Sequence, residues 1–287
     1  MNEIGDLDLP QEIYEEEAIG RTAEIYDDIR TTLQLPMVNM IYRRLAINEE
    51  ALDWCWENMK PVILTGAIDR AGEQITDELF IDDAPTFPAE GLRLAGVAED
   101  QRPAILAVID GYNRANPRNT VLLGVLKALR LREPVAGAKV DSFNAPTTRN
   151  GGDGTLIPPM VGLTDMSPDI AATVRFMIRH RKPDAFFSVP SMYRHLANWP
   201  GALSLAAAIL EPMEADGRIS RAASGLTASA MALGEKIAPV GPIGVAPAPE
   251  TIAGKLMDMV VDSFSRNIPE LIIVGAILRQ AFADDTT

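Results

Sequence analysis

The sequence has one cysteine, two histidines and few aromatic residues, and each shortage excludes a class of site. Cys55 alone can form neither an intrachain disulfide nor a cysteine-based metal site, and its helical surroundings indicate a small buried residue. His180 and His195 lack the spacing of a helical metal motif, so no metal site is expected. Phosphate-binding loops, dinucleotide-binding glycine motifs and nucleophile elbows are also missing, and no cofactor is predicted.

Positive charge and long apolar runs are scarce as well. The chain has 26 Lys and Arg against 40 Asp and Glu, a net charge of −14, which disfavours nucleic acid and anionic membrane surfaces as partners. No apolar stretch approaches the ~18 residues of a membrane span, and no signal-peptide pattern opens the sequence. We expect a cytoplasmic protein whose partner is a small-molecule substrate, and a homodimer is compatible with this expectation.

Apolar residues recur at three-and-four spacing over most of the chain, whereas alternating β patterns are rare. Proline and glycine gather in the connections between these segments, the longest of which runs from 133 to 168. The sequence therefore predicts an all-α protein.

The sequence also contains an internal repeat. Residues 38–61 and 189–212 align at an offset of 151, with eight of 24 positions identical. A second match, 108–117 with 260–269, has an offset of 152. Two independent matches with nearly one period predict a duplicated helical unit.

This duplication predicts two pseudo-symmetric helical repeats packed face to face as a pseudo-dimer, with the working site between them. We expect the first repeat at 1–135, a Pro/Gly-rich linker at 136–167 and the second repeat at 168–287.

We interpret residues that are kept in both copies as serving the fold and not the functional site. Asp and Arg four apart recur as Asp110–Arg114 and Asp262–Arg266, which predicts a modest ion pair on each helix. The matched arginines Arg43 and Arg194 are interpreted as structural in the same way, and the basic run 180–182 as a solvated surface turn.

Polar residues present in only one copy are better site candidates. In the alignment of the two repeats, a different residue type stands opposite each of four polar residues, Asn113, Asn116, Ser191 and His195. Ser191 and His195 share one helix face at a helix start, where free backbone N–H groups favour an anion such as a carboxylate. The alternative is that Ser191 supplements the helix cap and His195 is an ordinary satisfied histidine.

The motifs then suggest a family. SMYRHLANWP at 191–200 resembles the active-site helix of the group I 2-haloacid dehalogenases, and YNRANP at 112–117 resembles their asparagine-containing motif. Residues 29–45 resemble the first helix of their pocket. The resemblance covers nearly the whole chain and implies an all-helical fold of two pseudo-symmetric repeats.

In that family an aspartate on the active-site helix activates the water that displaces halide, and an asparagine assists. The resemblance places the asparagine at Asn113 and the serine before the aspartate at Ser191, but the aspartate itself at Met192. A thioether cannot accept a proton from water, so this general base is lost. Two pocket aromatics of the family correspond to Met37 and Met40.

We therefore predict an enzyme with the family fold and altered chemistry, a lyase that starts by proton abstraction and cleaves a small or aromatic substrate by a retro-aldol, formaldehyde-releasing step. One alternative is a hydrolytic dehalogenase with a relocated carboxylate, for which Asp184 is the nearest candidate. A second is a non-catalytic binding protein for a small carboxylate. The predicted catalytic residues are Asn113, His195 and Tyr193, and the predicted substrate-binding residues are Met37, Met40, Asn116, Ser191, Met192, Phe264 and Ile268.

Overall fold

The computed structural model describes residues 12–35, 37–77, 79, 81, 85–131, 157–181, 189–238 and 248–283. Within these ranges the regular secondary structure is entirely helical, so the all-α prediction is confirmed. No helix in the described part of the chain is both long and apolar enough to cross a membrane.

The described residues form eleven α-helices, six before the connection at 132–156 and five after it. The first set is α1 (Gly20–Leu33), α2 (Met40–Leu45), α3 (Glu49–Leu64), α4 (Ala67–Asp77), α5 (Ala89–Leu94) and α6 (Arg102–Arg130). The second set is α7 (Pro168–Ile178), α8 (Ser191–Leu196), α9 (Pro200–Ala215), α10 (Arg218–Ile237) and α11 (Ile252–Ala281).

The two sets repeat one order of helices at a nearly constant spacing. The first residues of α8, α9 and α10 follow those of α2, α3 and α4 by 151 positions, and α11 follows α6 by 150. Gly66 and Gly217, also 151 apart, link the third and fourth helices with φ of 70° and 75°, a left-handed conformation that favours glycine. These regularities agree with the duplicated unit, and we infer a pseudo-two-fold relation between the sets.

Side chains cap the starts of two of these helices, α3 and α7. The Asn48 side chain accepts a hydrogen bond from the Ala51 N–H at the start of α3. Ser167 does the same for Ile170 in α7, where Pro168 occupies the first helical position. Local sequence therefore fixes where these helices begin.

The described end of the predicted linker, residues 157–167, lies on the second set of helices. The Val161 N–H donates to the Arg194 carbonyl at 3.3 Å. Ile13 makes the matching contact in the first set, since its N–H donates to the Arg43 carbonyl at 3.1 Å. The rest of the linker, 136–156, is outside the described residues.

The core forms where α6, α10 and α11 pack against one another. α6 and α10 approach closely at two glycines, since a Cβ on Gly234 would lie 2.7 Å from the Gly124 Cα, and one on Gly124 would lie 2.7 Å from the Met231 carbonyl oxygen. Because α6 belongs to the first set and α10 to the second, this crossing joins the two sets directly.

The predicted scaffold ion pairs are only half right. Arg266 binds Asp262 four positions earlier on α11, with its Nη2 2.9 Å from Oδ2. Asp110 instead accepts a hydrogen bond from the Arg279 Nε at 2.8 Å. The first-copy aspartate therefore ties α6 to α11 and does not pair with Arg114.

We predict that Gly234→Ala destabilises the protein by about 1–3 kcal/mol, because the added methyl overpacks a backbone contact. Urea unfolding followed by circular dichroism at 222 nm measures this change. Gly225→Ala on the same helix is the matched control, since its Cβ would meet no atom within 4 Å. That control should gain about 0.5–1 kcal/mol from helix propensity. Equal midpoints for the two variants would contradict the close crossing.

Candidate active site

A cavity of about 80 Å³ lies between the two sets of helices. Since one water needs only ~10–15 Å³ of such space, this volume admits a small organic molecule. Its walls come from α2 and the residues before it, α6, α8, α11, and Arg181 after α7. The lining residues are Met37, Val38, Asn39, Met40, Ile41, Arg43, Tyr112, Asn116, Asn119, Arg181, Pro190, Ser191, Phe264, Asn267, Ile268 and Leu271.

Six of the seven predicted substrate-binding residues are in this lining: Met37, Met40, Asn116, Ser191, Phe264 and Ile268. Met192 has no exposed surface and packs in the hydrophobic core. Its position at the start of α8 directs it away from solvent, which is consistent with its apolar repeat partner Ile41.

Buried hydrogen-bond donors without acceptors are concentrated on the cavity lining. They are the Asn39 Nδ2, Arg43 Nη2, Asn116 Nδ2, and the Nε and Nη2 of Arg181. A buried N–H without an acceptor costs about 1–3 kcal/mol, so such groups in a native protein need a reason. They come from α2 and the residue before it, from α6, and from Arg181 after α7, so several sides of the cavity offer N–H groups to an acceptor.

Arg43 is held in place by Glu12 and by the backbone of Val38. Its Nε donates to Glu12 at 2.9 Å and its Nη1 to the Val38 carbonyl at 3.1 Å, and its side chain is only 5% exposed. The interpretation of Arg43 as plain scaffold therefore missed its position in the cavity lining. Its repeat partner Arg194 fits that interpretation, because its Nε donates to the Val161 carbonyl at 3.0 Å.

Arg181 also differs from its prediction. The basic run was expected on a solvated turn, but the Arg181 side chain is 5% exposed and lines the cavity. Two carboxylates lie beside it, Glu270 at 3.4 Å and Glu214 at 3.8 Å. Burial of the cluster raises the pKa of Glu214 above its ordinary value. Lys182 is outside the described residues.

Tyr112 and His195 form a polar pair at the cavity. The Tyr112 hydroxyl lies 2.7 Å from the His195 Nδ1, and Tyr112 is part of the lining, whereas His195 sits behind it with 1% exposure. Desolvation lowers the pKa of His195 from 6.5 to about 4, assisted by Arg194 and Arg43 and opposed by a hydrogen bond with the Ser191 backbone. At neutral pH the pair is an uncharged imidazole beside a protonated phenol, because burial raises the pKa of Tyr112.

The other two predicted catalytic residues lie apart from this pair. The Asn113 Nδ2 donates to the Gly275 carbonyl at 3.1 Å, so its amide ties α6 to α11. Its Oδ1 is buried without a partner. Tyr193 is fully buried with its hydroxyl in the field of Arg181, and burial raises its pKa. A catalytic role for either residue stays a prediction.

Carboxylates are missing from the described lining of the cavity. Asp184, the candidate for a relocated carboxylate, lies outside the described residues. Within the ranges that the structure describes, no three His, Cys, Asp or Glu side chains gather in a group that could hold a metal ion.

The all-helical fold of the described residues is similar to that of D-2-haloacid dehalogenase structures. A mutant of that enzyme in complex with D-2-CPA matches with a TM-score of 0.78 at 18% identity, over 96% of both chains. The complex of D-2-haloacid dehalogenase with L-LA matches with a TM-score of 0.76 at 18% identity, over 96% of this chain and 97% of that one.

Two curated relatives are configuration-inverting 2-haloacid dehalogenases. The protein of Pseudomonas sp. (strain 113) is 28% identical over 198 residues, which are 66% of this chain and 62% of the relative. That of Alcaligenes xylosoxydans xylosoxydans is 26% identical over 192 residues, 65% of this chain and 63% of the relative. The matches thus span less than two thirds of these relatives, and no family model matches the chain. The resemblance that the sequence motifs indicated is confirmed.

We predict that stability falls steeply between pH 6.5 and pH 4 because of His195. The folded-state pKa is lower than the ordinary value, so in this window the unfolded chain binds the proton and the folded chain does not. The contribution is fully present above pH 6.5 and its loss on acidification is on the order of 3 kcal/mol. Urea unfolding at a series of pH values measures it.

His195→Asn removes the titrating ring and should flatten that part of the pH profile. Tyr112→Phe should keep the loss, since burial is the main cause of the lowered pKa and the hydrogen bond is not. Parallel profiles for wild type and His195→Asn would show that His195 is not buried in its neutral form.

Proposed function

We propose that this chain is an enzyme that binds a small organic anion in the cavity and transforms it by acid–base chemistry through Tyr112 and His195. The observation that carries this proposal is the 2.7 Å contact between a phenol that lines the cavity and a buried imidazole behind it. The low pKa makes His195 a weak base, so it holds the Tyr112 proton only briefly, while the Tyr112 oxygen takes a proton from the substrate.

An anionic substrate is supported by the donors that lack acceptors. Arg43 and Arg181 bring two guanidinium groups to the lining, and Asn39 and Asn116 add amide N–H groups. Carboxylates accept several such bonds at once, and charge-assisted bonds are roughly twice as strong as neutral ones. Both guanidinium groups also pair with carboxylates, Arg43 with Glu12 and Arg181 with Glu214 and Glu270, so the support comes from their unpaired N–H groups and not from a net positive charge.

The reaction that we favour is a lyase step of the retro-aldol type on a 3-hydroxy acid. With its Nε2 carrying the ring proton, His195 accepts the Tyr112 proton while the Tyr112 oxygen takes the proton of the substrate hydroxyl. The bond between Cα and Cβ of the substrate then breaks and the aldehyde leaves. The electron pair of that bond stays on Cα and is delocalised onto the carboxylate. Arg43 and Asn116 donate to that growing negative charge. Cα then takes a proton from Tyr112, which regains its own from His195, so both residues end in their starting protonation states.

Hydrolytic dehalogenation is the competing proposal, and the relatives' names favour it. It requires a general base for water, and the sequence resemblance places that base at Met192, which is buried here in the core. The described lining supplies no carboxylate to replace it. A binding protein without turnover is the third outcome.

We predict that the protein releases an aldehyde from a 3-hydroxy acid. We expect it to release no halide from either enantiomer of 2-chloropropionate. Proton NMR of the reaction detects the aldehyde, and ion chromatography detects halide. Tyr112→Phe and His195→Asn should each lower kcat by 10²–10⁴-fold, the usual range for a positioned acid or base.

Tyr26→Phe is the matched control, because Tyr26 is also a buried tyrosine but donates to the Ile13 carbonyl outside the cavity. Its kcat should stay at the wild-type value. Halide release that persists in Tyr112→Phe would favour the hydrolytic reading. An acid that raises the melting temperature and is recovered unchanged would favour the binding protein.

A further inference from the structure

We propose that divergence between the repeats has made the cavity one-sided, so that it holds a short carboxylic acid in a single orientation. The carboxylate lies on the α6 side with Asn116 and Asn119, and the hydrocarbon part lies on the α11 side with Ile268 and Leu271. Asn116 and Ile268 are then the residues that determine specificity. This inference rests on the proposed binding of a small organic anion.

The lining is built largely from repeat-related pairs of residues. Tyr112, Asn116 and Asn119 on α6 correspond, at the offset of 152, to Phe264, Ile268 and Leu271 on α11, and all six line the cavity. In every one of these pairs the α6 member carries a polar group and the α11 member does not. A cavity on a pseudo-two-fold axis would have two equal sides if the residues of each pair were identical. Because they differ, the cavity has one polar side, on α6, and one apolar side, on α11.

The neighbouring short helices strengthen this contrast. α8 packs on α6 and α2 packs on α11. α8 brings Ser191, which interacts with the Tyr112 hydroxyl, to the polar side, whereas α2 brings its repeat partner Met40 to the apolar side. The Asn39–Pro190 pair runs the other way, with its polar member in the residue before α2.

On α6 a donor is ready to bind an acceptor, whereas the α11 residues of the lining offer none. The unpaired donors of Asn39 and Arg43 come from α2 and the residue before it. The Asn116 Nδ2 is buried without a partner, and Asn116 as a whole is 6% exposed. Asn267, the remaining polar residue of α11 in the lining, directs its Nδ2 to the Ser263 carbonyl of its own helix at 3.0 Å. Positive charge also faces the polar side, since Arg43 acts on both Tyr112 and His195.

The two sides make different demands on a ligand. A carboxylate meets the donors on α6, and each methylene placed against Ile268 and Leu271 leaves water. A buried methylene contributes about 0.8 kcal/mol, which is about a fourfold change in affinity. The ligand class is therefore a short acid with an apolar substituent on the carbon chain.

The test measures dissociation constants of acetate, propionate, butyrate and pentanoate by isothermal titration calorimetry. Wild type should bind each acid about fourfold more tightly than the acid one carbon shorter, until the apolar side is filled. Ile268→Asn should abolish this increment and leave acetate binding within about threefold. Asn116→Leu should weaken all four acids by about tenfold and keep the increment.

Met259→Gln is the control, an apolar-to-polar change on α11 at a residue that is 44% exposed. It should alter neither the affinity for acetate nor the increment. Ile268→Ala is the second variant in case the asparagine prevents folding, and it should reduce the increment by trimming the apolar side. Circular dichroism of each unliganded variant establishes that it folds.

The outcomes separate this inference from the function on which it rests. Equal binding of all four acids by wild type would overturn the single orientation while the proposal of an anion site stands. Loss of the increment in Asn116→Leu but not in Ile268→Asn would reverse the orientation and overturn the proposal. If no acid binds, anion binding itself is wrong and both proposals are lost.

Discussion

Close packing of α6 against α10 and α11 is the constraint on which the rest of the structure depends. At the crossing with α10, Gly124 and Gly234 leave no room for a Cβ on either helix. Asp110 and Asn113 then bind α6 to α11 through Arg279 and the Gly275 carbonyl. The first and second sets of helices therefore hold each other in place, and the cavity lies at their boundary. Its shape is a property of both sets together.

Burial at this boundary gives the polar groups their chemical character. Desolvation keeps His195 uncharged at neutral pH, and the same dry surroundings make an unpaired N–H on Arg43 or Asn116 costly. A ligand that supplies acceptors removes that cost, so the cavity has a reason to select an anion. The net charge of the chain is negative and does not by itself favour an anionic ligand. The preference for an anion follows from the buried N–H groups of the cavity.

Much of the fold could be predicted from the sequence, because helical periodicity and duplication are patterns along the chain. The offset of 151 found in one segment is also the offset between the first residues of three pairs of helices. The site was harder to predict, since burial is set by neighbours distant in sequence. Arg181 follows His180 in a basic run, yet Glu214 and Glu270 surround it in the folded chain.

A matched residue in the other repeat is weak evidence for a purely structural role. Arg43 matches Arg194 in the sequence, but the two guanidinium groups have different surroundings. Phenylalanine is a conservative partner for Tyr112, but the single hydroxyl that separates Tyr112 from Phe264 is the atom that contacts His195. A search for pairs that differ by one polar atom would have found Tyr112.

Met192 stands where the sequence resemblance places a catalytic aspartate. Its repeat partner Ile41 is 5% exposed and Met192 itself is wholly buried, so both positions now serve the core. A carboxylate at Met192 would have to be buried in apolar surroundings, where an unpaired charge is very costly. Polar groups reach the cavity from other positions, among them Ser191 on α8 and Tyr112 on α6. The acid–base chemistry that we propose therefore uses these side chains and not position 192.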